Sequence, residues 1–271
     1  MSHHVRHVAF VGLVGVVLGT HPSGAWAYTV GKECIENFHG CPGLPNLPSA
    51  CDLTDGAGNF GGELDFYYKN DQVFEQHLVD VSLQGWDVFV ADDVDVYLFS
   101  GHGTGNGSDN KLGLSTPRTS CSSHASSGAP QEILFDRDAE LAFFDASCSG
   151  SLPERYAVWY EGGGNGMMID LKQGFAFRNS PEDTDGRFYK FYFYASVYGM
   201  SNKDAWLEAS GGTGCLPFDC EFESPIVFTK GNSATDAQNR ANGMKLSNFQ
   251  SYSTPTGNYY WYYSEFYGGE C

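Results

Sequence analysis

Two short apolar runs, each stopped by glycine and each leading to a reactive side chain, constrain this chain more than any other feature. The first is Val94-Asp95-Val96-Tyr97-Leu98-Phe99-Ser100, which leads into Gly101-His102-Gly103. The second is Leu141-Ala142-Phe143-Phe144-Asp145-Ala146, which leads into Ser147-Cys148-Ser149-Gly150. Runs this short, rich in β-branched and aromatic residues, read as buried strands. In an open α/β sheet the carboxyl ends of neighbouring strands form the crevice where chemistry takes place. A histidine after one strand and a cysteine after the next are therefore expected to meet as a Cys–His dyad.

Residues 1–27 have the layout of a secretory signal peptide. Arg6 stands among several histidines, residues 8–19 are apolar, and Ala25-Trp26-Ala27 supplies a small-x-small cleavage signal. The apolar part is too short to span a bilayer as a helix. Cleavage after Ala27 leaves 244 residues, and loss of Arg6 takes the net charge from −18 to −19. No later stretch is long and apolar enough to cross a membrane. A secreted or periplasmic product is expected, with no membrane association after cleavage and enough chain for one domain with a full core. Its acidity argues against binding nucleic acid or an anionic membrane.

All eight cysteines lie beyond the cleavage site, where export permits disulfides. An even count allows four bridges. A catalytic Cys148 leaves seven, so a second thiol stays free or pairs between chains. Cys34 with Cys41, and Cys215 with Cys220, lack the C-x2-C pairs and nearby histidines of a zinc knot. Both read as local disulfide loops. Asp92, Asp93 and Asp95 lack the glycine-punctuated spacing of a calcium loop and read as a solvated strand edge. No metal site and no cofactor are expected.

Residues 28–60, rich in Gly, Pro, Asn and Cys, read as an extended, cross-linked segment packed on the domain formed by 61–271. Residues 64–68 read as its first strand, and 70–79 as a short helix capped by Asn70, with His77 packed or at the surface. Residues 104–130 are too long for a simple connection and read as a functional loop or flap. A helix is expected over 152–160 with Pro153 in its first turn, and a strand over 167–171. Residues 183–198 read as helical or mixed, 202–209 and 233–242 as helices, 226–229 as a strand, and 258–267 as a closing aromatic strand. This alternation predicts a three-layer αβα sandwich around a mostly parallel sheet.

Cysteine attacks as the thiolate, and an unperturbed pKa of about 8.5 leaves little of it at neutral pH. A neighbouring imidazole raises that fraction or protonates the departing amine. Amides at Gly103 and Cys148 can hold a developing oxyanion, and a helix starting after Cys148 favours a thiolate through its dipole. Asp145 can orient the site. The alternatives are a structural Cys148, buried or bridged to a partner such as Cys121, and a His102 that merely fills a turn between two glycines. None of the other histidines of the mature chain, His39, His77 and His124, follows a strand-like run.

Phe99-Ser100-Gly101-His102-Gly103, followed by Phe144-Asp145-Ala146-Ser147-Cys148-Ser149-Gly150-Ser151, resembles the caspase–legumain–gingipain class of cysteine peptidases. That class places a His-Gly after one strand and an Ala-Cys after the next. The stretch 166–209, with Met168-Ile169-Asp170 and Asp204-Ala205-Trp206, also resembles a group of exported bacterial proteins with the same two-strand layout. At the level of pattern, the resemblance covers residues 64–209. It implies a caspase-like fold, a protein or peptide substrate, and His102 and Cys148 as the catalytic pair. The legumain pattern reads acidic-Ala-Cys-x-Ser-Gly-Ser. Here an ungapped alignment puts Ser147 at the nucleophile position and Cys148 one place later, which makes Ser147 the alternative nucleophile. The expected function is that of an exported cysteine peptidase-like hydrolase; the alternative is a non-catalytic secreted binding domain of the same fold.

Overall fold

The two apolar runs become neighbouring strands at the centre of a seven-stranded sheet. The computed structural model describes residues 28–38, 45–56, 58–104, 113–115, 124–126, 135–147, 149, 168–179, 186–210, 223–257 and 259–264. The strands of the main sheet are β1 (Thr29–Cys34), β2 (Glu63–Lys69), β3 (Val96–Ser100), β7 (Leu141–Asp145), β8 (Gln173–Phe177), β9 (Pro225–Gly231) and β10 (Tyr259–Ser264). Their spatial order is β10-β9-β8-β7-β3-β1-β2. From β2 across to β8 all pairings are parallel, while β9 and β10 add antiparallel. The protein is therefore α/β with a mostly parallel sheet. Three further short strands, β4 (Gly103–Thr104), β5 (Gly113–Ser115) and β6 (His124–Ser126), form a small antiparallel sheet within the stretch expected to be a flap.

Every residue of β3 and β7 is buried. Continuous apolar runs suit interior parallel strands, which are covered on both faces. Tyr97, Phe99, Ala142 and Phe144 pack on one face, and Val96, Leu98, Leu141 and Phe143 on the other. The second face is covered by α2 (Arg187–Ser196) and α3 (Asn202–Ser210), whose Phe188, Phe191 and Trp206 enter the same cluster. The first is covered, among the described residues, by Ile35, Phe38, Val73, Leu78, Val90 and Phe135 from turns and loops. Helix α4 (Ala234–Gly243) packs on β9 and β10. Ser233 caps it by accepting the Asp236 amide at 3.1 Å. The expected helix over 152–160 lies outside the described residues.

The structure differs from the sequence-based expectations at four places. First, residues 28–60 do more than pack on the domain: they supply β1, which lies between β2 and β3 in the main sheet. Lys32 and Glu33 disguise this strand. Both are buried: Lys32 donates to the Thr54 carbonyl at 3.2 Å and to that of Gly58, and Glu33 accepts from Tyr97 Oη at 2.6 Å and from His77 Nδ1 at 2.5 Å. Second, the strand expected over 167–171 forms at Gln173–Phe177 instead. It starts on buried Lys172, which pairs with Glu140, and on Gln173, which bonds Thr229 Oγ1 at 3.3 Å. Third, residues 70–79 form two 3-10 turns, Asn70–Gln72 and Glu75–His77, rather than a helix.

Fourth, Asp92 is no solvated edge; it is fully buried and accepts the amides of Asp136 at 2.9 Å and Ala139 at 3.2 Å. It thereby ties the entry to β7 to the entry to β3. Burial pushes its carboxyl up to about 8, and that of buried Asp87 up to about 7, from an ordinary 3.8. Between about pH 4 and pH 8 the folded chain thus holds protons that the unfolded chain has released, so stability falls as pH rises through that window. Stability read by urea unfolding is expected to drop from pH 5 to pH 8 by at most about 1.4 kcal/mol per pH unit for each group. Asp92→Asn is expected to flatten the profile, and an unchanged profile would contradict this assignment.

Cysteine pairing also departs from expectation. Cys34 bonds Cys51, the second residue of α1 (Ala50–Gly56), and not Cys41. The two lie 17 residues apart. A loop of that size restricts the unfolded chain by about 3 kcal/mol in the entropic account. Cys41, Cys121, Cys148, Cys215, Cys220 and Cys271 lie outside the described residues, as do residues 1–27, the expected signal peptide. Among the described residues, no helix is long and apolar enough to cross a membrane.

Candidate active site at the strand ends

Cys34, Ser100 and Asp145 stand in register across β1, β3 and β7, so these three strands end at one level. Backbone bonds continue just past this row: Ile35 N donates to Ser100 O at 3.0 Å and Gly101 N to Asp145 O at 3.2 Å. The segments leaving the three strands therefore share one rim, the carboxyl edge of a parallel sheet. His102 comes two residues after β3, and Cys148 three residues after β7.

The turn after β7 is held from below. The buried Ser149 amide donates to Ala146 O at 3.3 Å, its hydroxyl donates to Phe144 O at 3.2 Å, and that same hydroxyl oxygen accepts the Phe177 amide at 3.1 Å. Strand geometry ends at Asp145. The two-residue alternation of a strand thus no longer governs Ser147. Ser147 is half-buried, and Cys148 itself lies outside the described residues.

Gly103 brings the two turns together. A Cβ placed on it would collide with the Ser147 carbonyl oxygen and lie 2.9 Å from the Ser147 amide nitrogen. Only a residue without a side chain allows the histidine turn and the β7 turn to touch backbone to backbone. Gly103→Ala is expected to push the turns apart at a cost of about 1–3 kcal/mol, the usual range for forced overpacking. A urea midpoint unchanged from wild type would contradict this contact.

The histidine is held by residues that carry no signal of their own in the sequence. His102 Nε2 lies 2.8 Å from the Pro45 carbonyl oxygen, and its ring meets Phe38 edge-on with centroids 4.5 Å apart. A carbonyl only accepts, so Nε2 donates to it and Nδ1 is the ring nitrogen that can act as a base. Phe38 and Pro45 belong to the loop leaving β1, which has its own anchors. Asn70 Oδ1 accepts the amides of Glu36 at 2.8 Å and Asn37 at 3.0 Å, Leu47 N donates to Glu36 O at 2.9 Å, and Phe38 N donates to Asn46 Oδ1 at 2.9 Å. Asn70 adopts φ +51, a left-handed conformation that Asn tolerates well. It does cap backbone amides, but those of a distant loop rather than those of its own helix.

Asp145 is paired with a cation rather than seen against His102. Its carboxylate is on the opposite face, held by Arg187 Nη1 at 2.5 Å, while His102 bonds Pro45. Arg187 is buried, also pairs with Glu223, and lies over the Phe177 ring at 4.7 Å. This cluster fixes the last residue of β7 to α2 and thereby the base of the site. Among the described residues, no group of three His, Cys, Asp or Glu side chains converges as a metal site. No family model matches the chain, and no curated protein matches it.

Proposed function

We propose that this chain is an exported cysteine peptidase with a caspase-like arrangement, in which Cys148 is the nucleophile and His102 the general acid and base. The observation that carries the reading is the backbone contact of Gly103 with Ser147 at adjacent strand ends, beside a histidine whose Nε2 is already committed to Pro45. His102 Nδ1 takes the Cys148 thiol proton, and the thiolate adds to the carbonyl carbon of a protein or peptide substrate. Amides of Gly103 and Cys148 stabilise the oxyanion. The tetrahedral adduct collapses, the C–N bond breaks, and the amine departs with the proton from His102. Water, deprotonated by His102, then cleaves the thioester to release the carboxylic acid and restore the thiol.

A peptidyl acyloxymethyl ketone library, read by mass spectrometry, tests this reading. It predicts an adduct on Cys148 that is lost in Cys148→Ala. A fluorophosphonate adduct on Ser147 with indifference to iodoacetamide would transfer the chemistry to Ser147. Labelling of neither residue would favour the non-catalytic binding domain. The exposed aromatic row of Tyr189, Phe193 and Tyr198 on and just after α2 is the feature that supports that second reading.

A further inference from the structure

The Cys34–Cys51 disulfide closes a loop that contains both residues holding His102. Phe38 and Pro45 lie between the two cysteines, and Cys34 stands in register with Ser100, two residues before the histidine. Both half-cystines are buried, Cys34 at the end of β1 and Cys51 in the first turn of α1. The covalent link therefore fixes both ends of the segment that delivers the Pro45 carbonyl. Leu47, at the far end of this loop, is tied back to Glu36, and Ala50 N donates to Leu47 O at 3.1 Å, so displacement of α1 pulls directly on the residues flanking Pro45.

We propose that this disulfide is a positioning clamp for His102, so that the working protein holds one disulfide oxidised and one thiol, Cys148, reduced. The second half of this statement rests on the peptidase reading above; the first half does not. Reduction by a dithiol transfers two electrons and two protons to the sulfur pair, giving two thiols and the cyclic disulfide of the reductant. The loop then loses its covalent closure, Pro45 no longer fixes Nε2, and the imidazole samples both tautomers and other ring orientations. Because both sulfurs are buried, a reductant reaches exposed disulfides first. Reactivity at Cys148 should therefore persist under mild reduction and be lost when Cys34–Cys51 opens. Displacement of a catalytic group by about 1 Å can cost roughly 100-fold in rate.

The test compares the mature wild-type chain with Cys34→Ala/Cys51→Ala, after circular dichroism establishes that the variant is folded. Histidine ring ¹⁵N spectra should show the Nε2–H tautomer of His102 in the oxidised protein and a mixture of tautomers in the variant. Iodoacetamide alkylation of Cys148 should fall roughly 100-fold. Should the variant fail to fold, titration of the wild type with dithiothreitol gives the same readout: the His102 tautomer should change with the opening of Cys34–Cys51, as mapped by mass spectrometry. An unchanged His102 spectrum after that bond opens would overturn the clamp. A changed spectrum with an unreactive Cys148 in the oxidised protein would leave the clamp standing and overturn the peptidase reading instead.

Discussion

His102→Ala is expected to lower turnover of a cleaved peptide by about 10²–10⁴-fold, the contribution of a positioned general acid–base. In the proposed mechanism the imidazole has two separate tasks. It removes the thiol proton, and it returns a proton to the departing amine; without it, a thiol of ordinary pKa leaves only a few per cent of nucleophile at neutral pH. The geometry adds a sharper expectation. Since Nε2 is engaged by Pro45 at 2.8 Å, Nδ1 is the nitrogen that must act. Glutamine or asparagine at 102 can keep a donor to the carbonyl, yet neither supplies a base. Both variants should therefore retain the wild-type urea midpoint while losing activity as fully as alanine. Steady-state kinetics alongside urea unfolding would check this, and an active His102→Gln would contradict the assigned role.

Arg187→Met is expected to destabilise the fold by about 3–5 kcal/mol, the usual cost of breaking a buried charged pair by removing one partner. Arg187 reaches Asp145 on one side and Glu223 on the other from a position almost wholly out of solvent. Its loss removes the cation that pairs with both carboxylates beside the Phe177 ring. Against a total stability of about 5–15 kcal/mol, that is a large share. Lysine should rescue only part of it, because an ammonium cannot reproduce a planar fork spanning two acids. Combining Arg187→Met with Asp145→Asn and Glu223→Gln should recover much of the loss by removing the two charges that Arg187 neutralises. Urea midpoints of the methionine, lysine and triple variants test the scheme, and a neutral Arg187→Met would contradict it.

The parts of the fold carried by continuous apolar runs were legible in the sequence. Residues 94–100 and 141–146 are expected as strands and appear as β3 and β7, with β2, β9, β10 and three helices also close to their expected places. The misplaced strands and the misread Asp92 share one cause. Local pattern has no means of showing that Lys32, Glu33, Lys172 and Asp92 find partners inside the protein. Charged residues therefore hid β1, displaced β8 along the sequence and made a buried tether look like a solvated edge. The same limit applied at the site. His102 and Gly103 carry glycine-flanked signals, whereas Pro45 contributes through a backbone carbonyl that any residue could offer. Asn70 offered the one usable hint, a residue that readily adopts positive φ and caps amides, but the amides it caps are 33 and 34 residues away.

Cysteine pairing shows the same contrast between local spacing and tertiary geometry. Proximity in sequence favours Cys34 with Cys41, but the partner of Cys34 is Cys51, which α1 carries back over β1. Parity still leaves six cysteines, and the proposed chemistry requires Cys148 to be unpaired among them. Differential alkylation of the purified mature protein, with peptide mapping in the absence of reductant, tests that requirement most directly. The expected result is a Cys34–Cys51 bridge together with a free Cys148 that is alkylated faster than any other thiol. Recovery of Cys148 in a disulfide, with Cys121 or any other partner, would contradict the proposed chemistry.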